Sequence, residues 1–264
     1  MSVLIAIPAR YASTRYPGKP LVVLRGPDGE KTLIRRSWEA AMSVKGVDRV
    51  VVATDDDRIR DHAEGFGAEV VMTSSEAQNG TERCAEVVQK LPGYDVVVNL
   101  QGDAPLTPAW FVEDLVAGLL ADAEADIATP VLRCDGRAVA GFLADRRAGR
   151  VGGTTAVFGA GGRGLYFSKE VIPFTGKTYA DDEPTPVFHH VGVYAYRPAA
   201  LADYPAWPVG PLETLEGLEQ LRFLEQGRRV LCVEVQAQGR QFWELNNPSD
   251  VPIIETMMQG MALG

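Results

Sequence analysis

The feature that most constrains this chain is its opening. A short apolar run, Val3-Leu4-Ile5-Ala6-Ile7, stops at Pro8 and gives way to Ala9-Arg10-Tyr11-Ala12-Ser13-Thr14-Arg15-Tyr16-Pro17-Gly18-Lys19-Pro20. The run reads as one buried strand. The loop after it gathers positive charge in an acidic protein: Arg10, Arg15, Lys19 and Arg25 all precede the first acid, Asp28, although the net charge is -9. A basic loop at the carboxyl end of a buried strand is where an open α/β sheet takes an anionic ligand. Arginine offers a planar fork for phosphate oxygens, lysine a compact charge, and small residues let backbone N–H groups approach. The loop therefore reads either as a cradle for the polyphosphate of a nucleotide or as a solvated surface loop, and spacing alone leaves both open. It is neither a Walker A loop nor a Gly-x-Gly-x-x-Gly turn.

The rest of the chain bounds the reading. At 264 residues, with 46% hydrophobic and 23% charged side chains, the composition is that of a soluble globular protein able to bury a sizeable core. No apolar run approaches membrane-spanning length, and the N-terminus lacks the flanks of a signal peptide. Cys84, Cys134 and Cys232 are scattered, in no metal or redox spacing, and read as reduced thiols of a cytoplasmic protein. The negative charge argues against a nucleic-acid partner.

Strand and helix signals alternate, which argues for a mostly parallel sheet. Helical spacing covers 33–44, 57–66, 81–90 and 108–121, and strands are expected at 49–54, 68–72, 96–100 and 127–132. Residues 136–153, rich in Gly, Arg and Asp, read as a mobile or lobe-like connection. A hairpin is expected from 154–158 and 164–168, loop over 173–186, and strands at 189–196 and 230–235. Leu212 to Gln226 reads as one amphipathic helix with Leu212, Leu215, Leu218, Leu221 and Leu224 inward. Asn247-Pro248-Ser249-Asp250 is a helix-start signal for the last helix.

Several constellations carry chemistry. Thr73-Ser74 follows a strand, and Asn79-Gly80-Thr81-Glu82-Arg83 opens a helix, which a simple cap also explains. In Asn99-Leu100-Gln101-Gly102-Asp103 a strand ends, Gly turns the chain, and a lone carboxylate sits at the tip. Such an Asp suits Mg²⁺ as well as an ordinary turn. His190 and Tyr194, four apart on a strand, share a face, though both histidines of the pair read as strand residues when taken alone.

Together these segments resemble the sugar-acid cytidylyltransferases, above all the 3-deoxy-manno-octulosonate (Kdo) cytidylyltransferases, or CMP-Kdo synthetases. The opening loop is similar to that family's signature. Gln101-Gly102-Asp103-Ala104-Pro105 resembles its Gln-Gly-Asp-Glu-Pro. Leu165-Tyr166-Phe167-Ser168-Lys169, His189-His190-Val191-Gly192-Val193-Tyr194-Ala195-Tyr196-Arg197 and Leu218-Glu219-Gln220-Leu221-Arg222 follow in family order. The resemblance implies a three-layer, nucleotide-diphospho-sugar transferase-like (Rossmann-like) α/β fold. Its central sheet is mostly parallel, with a small additional β-containing lobe. One nucleotidyltransferase domain, 1–264, would divide into a nucleotide-binding half, 1–132, and a sugar-acid-binding and dimerisation half, 133–264.

It further implies an enzyme that joins CTP to Kdo, giving CMP-Kdo and pyrophosphate for lipopolysaccharide biosynthesis, as a homodimer with Mg²⁺ as cofactor. Arg10, Lys19 and Asp103 would be catalytic. Ala9, Arg10, Ser13, Arg15, Lys19, Thr73, Asn79, Gly80, Thr81 and Gln101 would bind the nucleotide. Gln101, Lys169, His190, Tyr194, Glu219 and Gln220 would bind the sugar acid, and Asp103 and Asn246 the metal. Asn246 stands where the family has an Asp, Lys169 where it has an Arg, and Ala104 where it has a Glu. Ala104 and Lys169, with Ala77, Thr155 and Phe174, keep in view a synthetase for another ulosonic acid, such as an amino-Kdo or a nonulosonic acid, and Asn246 keeps in view a nucleotide-binding subunit that has lost catalysis.

Overall fold

Strands and helices alternate through the first hundred residues and then give way to a strand-rich stretch. The computed structural model describes residues 1–13, 16–151, 153–240 and 243–261. In chain order the strands are β1 (Val3–Ala9), β2 (Val23–Gly26), β3 (Gly29–Thr32), β4 (Arg49–Thr54), β5 (Glu69–Met72) and β6 (Val96–Leu100). They continue as β7 (Ile127–Asp135), β8 (Thr154–Phe158), β9 (Gly164–Ser168), β10 (Pro184–His190), β11 (Val193–Tyr196) and β12 (Val230–Glu234). The helices are α1 (Leu33–Met42), α2 (Asp57–Gly65), α3 (Gly80–Lys90), α4 (Ala109–Ala121), α5 (Gly136–Arg147), α6 (Pro198–Asp203), α7 (Pro211–Glu216), α8 (Gln220–Glu225) and α9 (Val251–Met261).

The described residues form two compact units. The first is Met1–Glu113 with Tyr196–Ala202 and Ala237–Gly264; the second is Asp114–Ala195 with Asp203–Gln236. In the first, β5, β4, β1 and β6 lie side by side, every pair parallel. The expected parallel sheet is therefore present, and β1 and β6 are its most buried strands because their side chains are apolar on both faces. The hairpin β2–β3 is a small separate sheet, in keeping with the small additional β-containing lobe that the resemblance implies. It is held by a core of Leu24, Leu33, Leu106, Leu245, Ile254 and Met258. Burying α9 against this hairpin returns the end of the chain to the first unit.

The second unit is mixed. β7 pairs antiparallel with β10 and parallel with β12, and β8 pairs antiparallel with both β10 and β9. Here two expectations are corrected. Residues 136–147 form a helix rather than a loose connection: the Asp135 side chain caps it by accepting from Ala138 N at 2.8 Å. Val139 and Phe142 then pack on Cys134 and Val187. The leucine stripe over 212–226 is not one helix either. Gly217, at φ 61°, sits in the left-handed region and ends α7, so α8 starts in a new phase. Leu215 is 81% exposed, while Glu213, Gln220, Leu221, Arg222 and Phe223 are buried.

That phase change buries charge. Arg222 donates from Nε and Nη2 to the two carboxylate oxygens of Glu213 at 2.6 and 2.8 Å, and its guanidinium lies 4.1 Å from the ring centre of Tyr204. The Tyr204 hydroxyl donates to the Glu219 carbonyl at 3.1 Å. Removing one partner would strand the other charge in the interior. Glu213→Ala should therefore lower stability by about 3–5 kcal/mol in chemical denaturation, whereas a surface ion pair such as Arg25–Glu30 should be worth under about 1 kcal/mol.

β10 ends at His190, buried with its pKa pushed down to about 3, by burial first and by the neighbouring His189 second. A folded-state pKa below the unfolded value means that the unfolded chain takes up the proton first. The stability this residue contributes is present above about pH 6.5 and is lost as pH falls toward 3. By pH 5 the loss should reach about 2 kcal/mol. His190→Gln should show a fall between pH 7 and pH 5 that is smaller by about that amount.

Candidate functional site

In the first unit the carboxyl ends of β1 and β6 carry the two loops that the sequence singles out. Gly18 adopts φ 71°, and its N–H donates to the Tyr11 carbonyl at 2.9 Å, which closes the β1 loop. A β-carbon at Gly18 would meet the Tyr11 ring at 3.1 Å, so conformation and space both call for glycine. The 3₁₀ turn Lys19–Leu21 that follows points Lys19 toward β6. After β6 the chain turns at Gly102, where a β-carbon would lie 2.7 Å from the Pro8 carbonyl oxygen. The Gly102 carbonyl accepts from Ser37 Oγ at 3.0 Å.

These two turns bring Lys19 Nζ to 2.6 Å from Asp103 Oδ2, with side chains 15% and 24% exposed. The pair is thus partly shielded from water, where an ion pair is stronger than at the surface. The Asp103 carbonyl also accepts from Leu245 N at 2.9 Å, which places Asn246 one residue from a bond to Asp103. The Asn246 N–H donates to Asp250 Oδ2 at 2.8 Å, and Asn247 N to the same oxygen at 2.6 Å. The expected helix-start signal is present as a capping box.

Ala9 ends β1 and is buried; Arg10 beside it is exposed. Ser13 Oγ accepts from Tyr16 N at 3.3 Å. Arg15 lies outside the described residues. Asn79 caps α3 by accepting from Glu82 N at 2.8 Å. Gly80 approaches β1 and β6 closely: a β-carbon there would meet Asn99 Nδ2 at 3.0 Å, Pro8 Cγ at 3.2 Å and Gln101 Nε2 at 3.3 Å. The Thr81 hydroxyl lies 2.8 Å from that of Tyr196. Thr73 is buried, its hydroxyl held by the Arg83 guanidinium, which also pairs with Asp55 at 3.2 Å. The sequence motifs contain both Arg83 and Tyr196 without giving either a role of its own: Arg83 lies on α3 itself, and only the fold brings Tyr196 to Thr81.

Lys169, His190, Tyr194, Glu219 and Gln220 all fall in the second unit. Tyr194 donates its hydroxyl to Gln220 Oε1 at 3.1 Å, and the two rings of Tyr194 and His190 are 5.7 Å apart. Thr129 Oγ1 lies 2.9 Å from His190 Nε2 and 2.9 Å from the Val193 carbonyl. A hydroxyl has one hydrogen, and the carbonyl can only accept it. Thr129 therefore accepts from His190, which fixes the Nε2–H tautomer and leaves Nδ1 as an acceptor. Gln220 is buried, and its Nε2 has no partner among the described residues. Glu216, missed in the sequence, organises the end of β9. It accepts from Ser168 Oγ at 2.6 Å and Lys169 N at 2.9 Å, and from the Tyr166 hydroxyl at 3.3 Å.

Among the described residues no three His, Cys, Asp or Glu side chains gather into a ready-made metal cage. No helix among them is long and apolar enough to cross a membrane. Arginines, lysines and polar amides at strand ends, with one carboxylate, can bind and orient an anion and compensate charge as it moves.

Comparison with known proteins agrees with that chemistry. Residues 4–230 match the family model described as cytidylyltransferase. A 3-deoxy-manno-octulosonate cytidylyltransferase of Maricaulis maris (strain MCS10) is 44% identical over 256 residues, covering 97% of this chain and 96% of that protein. One of Zea mays is 38% identical over 254 residues, covering 96% and 80%. The solved structure of a CMP:2-keto-3-deoxy-manno-octonic acid synthetase complexed with CTP superposes with a TM-score of 0.83 at 32% identity, covering 98% of each chain. The mixed α/β fold of the nucleotidyltransferases is thus present here. By sequence and by fold, the chain belongs to the 3-deoxy-manno-octulosonate cytidylyltransferase family of cytidylyltransferases.

Proposed function

We propose that this protein is the nucleotidyltransferase that joins CTP to Kdo, releasing pyrophosphate and giving CMP-Kdo for lipopolysaccharide biosynthesis. The observation that carries the reading is the Lys19–Asp103 pair, built at the ends of β1 and β6 by turns that tolerate only glycine. Near-full-length similarity to proteins named for this reaction supports it, and the compared names give no support to another ulosonic acid or to a lapsed subunit.

In the proposed reaction the anomeric hydroxyl of Kdo attacks the α-phosphorus. A bond from its oxygen to phosphorus forms, the bond to the bridging oxygen of the departing pyrophosphate breaks, and the hydroxyl proton is released. Positioning and charge compensation dominate such transfers. Arg10, Arg15 and Lys19 would neutralise the triphosphate and the leaving pyrophosphate. Ala9, Ser13, Thr73, Asn79, Gly80, Thr81 and Gln101 would bracket the nucleotide, the internally bonded Thr73 by holding Arg83 and the loop at Ser74. Gln101, His190, Tyr194, Glu219 and Gln220 would bind the acid sugar through neutral hydrogen bonds and one carboxylate, with Lys169 as its cation. A neutral His190 offers Nδ1 to a hydroxyl rather than charge to the sugar's carboxylate.

The donor set near Lys19 fits a Mg²⁺ cofactor. Asp103, already matched to a cation in the form of the Lys19 ammonium, would supply one anionic oxygen, and Asn246 would supply an amide oxygen. Mg²⁺ is commonly held by one or two carboxylates together with substrate phosphates. When bound, such an ion offsets charge on the reacting phosphate. Asn246 brings no charge, so the metal would depend more on substrate oxygens here than with two acids. The proposal also includes a cytoplasmic setting, supported by three buried cysteines, none of them in a disulfide among the described residues. It includes a homodimer, supported in the second unit by exposed apolar side chains such as Phe174, 94% exposed, and Leu215.

Pyrophosphate release with CTP and Mg²⁺ should require Kdo; release that ignores Kdo, or none, would sink the reading. Asp103→Ala should abolish turnover and leave the thermal transition cooperative, and near-wild-type activity would remove Asp103 from the metal site. Gly102→Ala, forced against the Pro8 carbonyl, should cost about 1–3 kcal/mol of stability and lower turnover at least tenfold, by tilting Asp103 away from Lys19.

A further inference from the structure

One residue of the first unit is out of place as a structural element. β6 reads Val96-Val97-Val98-Asn99-Leu100, every residue buried, in register with β1 so that Asn99 lies beside Ala6. Asn99 is 0% exposed, and neither Nδ2 nor Oδ1 has a hydrogen-bond partner among the described residues. An amide buried without partners is costly, and a strand of this kind is better served by another valine. Among the described residues no hydrogen bond offsets that cost.

What surrounds the amide indicates its use. Strand alternation puts Asn99 and Gln101 on one face, and both point at the first residue of α3. The β-carbon that Gly80 lacks would lie 3.0 Å from Asn99 Nδ2 and 3.3 Å from Gln101 Nε2. Gly80 is thus the opening through which two amides reach the backbone at the start of an eleven-residue helix. The N-terminal turn of a helix is electropositive and carries N–H donors without intrahelical acceptors. A partnerless buried amide lying against it supplies a second, independent sign of a ligand-linked site.

We propose that Asn99 is a positioning residue of the nucleotide site, unsatisfied in the free protein and satisfied when CTP binds. It would then pair with Gln101 or the Gly80 backbone, directly or through one water, as both draw onto the nucleotide. This rests on the nucleotide-binding reading of the first unit. The pairing energy is released only in the complex, so it adds to binding and subtracts from the stability of the free chain. Stability exchanged for function in this way distinguishes the residue from an ordinary core position.

The test is the pair Asn99→Leu, close in size, and Asn99→Val, which matches the strand. Each is measured without ligand by thermal melting and with CTP by calorimetry, beside the wild type. The free variants should melt at or above the wild-type temperature and bind CTP about tenfold or more weakly, the factor expected for one lost hydrogen bond of ~1.4 kcal/mol. Wild-type CTP affinity in either folded variant overturns the inference, whatever its melting temperature. Lower melting temperatures in both variants, even with weaker binding, also overturn it, since the amide would then be structural. Failure of the wild type itself to bind CTP is a different result and overturns the nucleotide-site reading beneath it.

Discussion

The candidate site depends on how closely β6 can follow β1 at its carboxyl end. Backbone packed against backbone leaves no room for a side chain at Gly102, where a β-carbon would be 2.7 Å from the Pro8 carbonyl. That contact sets where Asp103 begins, and Asp103 in turn fixes two other parts of the unit. Its carboxylate engages Lys19 from the loop after β1, and its carbonyl accepts from Leu245 N in the C-terminal segment. One tight turn thereby ties three stretches of chain, distant in sequence, to a single residue. Under the proposed function that anchoring would hold Lys19 where its ammonium can meet a phosphate.

The same unit explains why the cations need no matching acidic surface. Lys19 is balanced by Asp103, Arg83 by Asp55, and Arg36 by Asp28, whose pKa is pulled down to about 2 by its bonds to Lys31 and Arg36 despite partial burial. Arg36 and Arg83 are buried and committed to the fold: Arg36 donates to the Leu24 and Gly29 carbonyls, and Arg83 supports Thr73. Arg10, by contrast, is exposed at the end of β1. Cations with an internal task and a cation facing solvent are therefore sorted by depth, although all of them are equally basic in the sequence.

Much of this was legible before the fold was known, and the reason is local. Apolar runs such as 3–7, 49–54 and 96–100 can only be buried strands, and the Gly18 and Gly102 turns sit where strands end. Asn79 and Asn247 announce helix starts with their own side chains. What was not legible depended on composition overriding position. The Gly, Arg and Asp of 136–153 suggested a loose connection, yet Asp135 capping Ala138 and the spacing of Val139 and Phe142 specify a helix. Five leucines at helical spacing suggested one helix over 212–226, yet the left-handed conformation at Gly217 breaks it in two and leaves Leu215 exposed while Leu221 stays buried. The roles of Tyr196, Arg83 and Glu216 depend on neighbours far away in sequence, which no local pattern encodes.

Under the proposed function, the second unit would select an acid with a single cation, Lys169, among neutral groups. His190, held neutral by burial and by its bond to Thr129, cannot compensate a carboxylate. Tyr194 donates its hydroxyl hydrogen to Gln220 Oε1, so Gln220 Nε2 is the neutral donor of the pair. Glu213, the buried acid nearby in sequence, is spent on Arg222. Glu216 holds the backbone of Lys169 through its N–H, which fixes where that side chain leaves β9. Under the proposed function, selection for a sugar acid over a neutral sugar then falls to Lys169, while the hydroxyl pattern is read by groups that carry no charge. A lysine is a point charge on a flexible stem, unlike the planar fork of arginine. It can follow a carboxylate through small changes of sugar pose, so under the proposed function discrimination among acids would come from the neutral groups on β11 and α8 rather than from the cation.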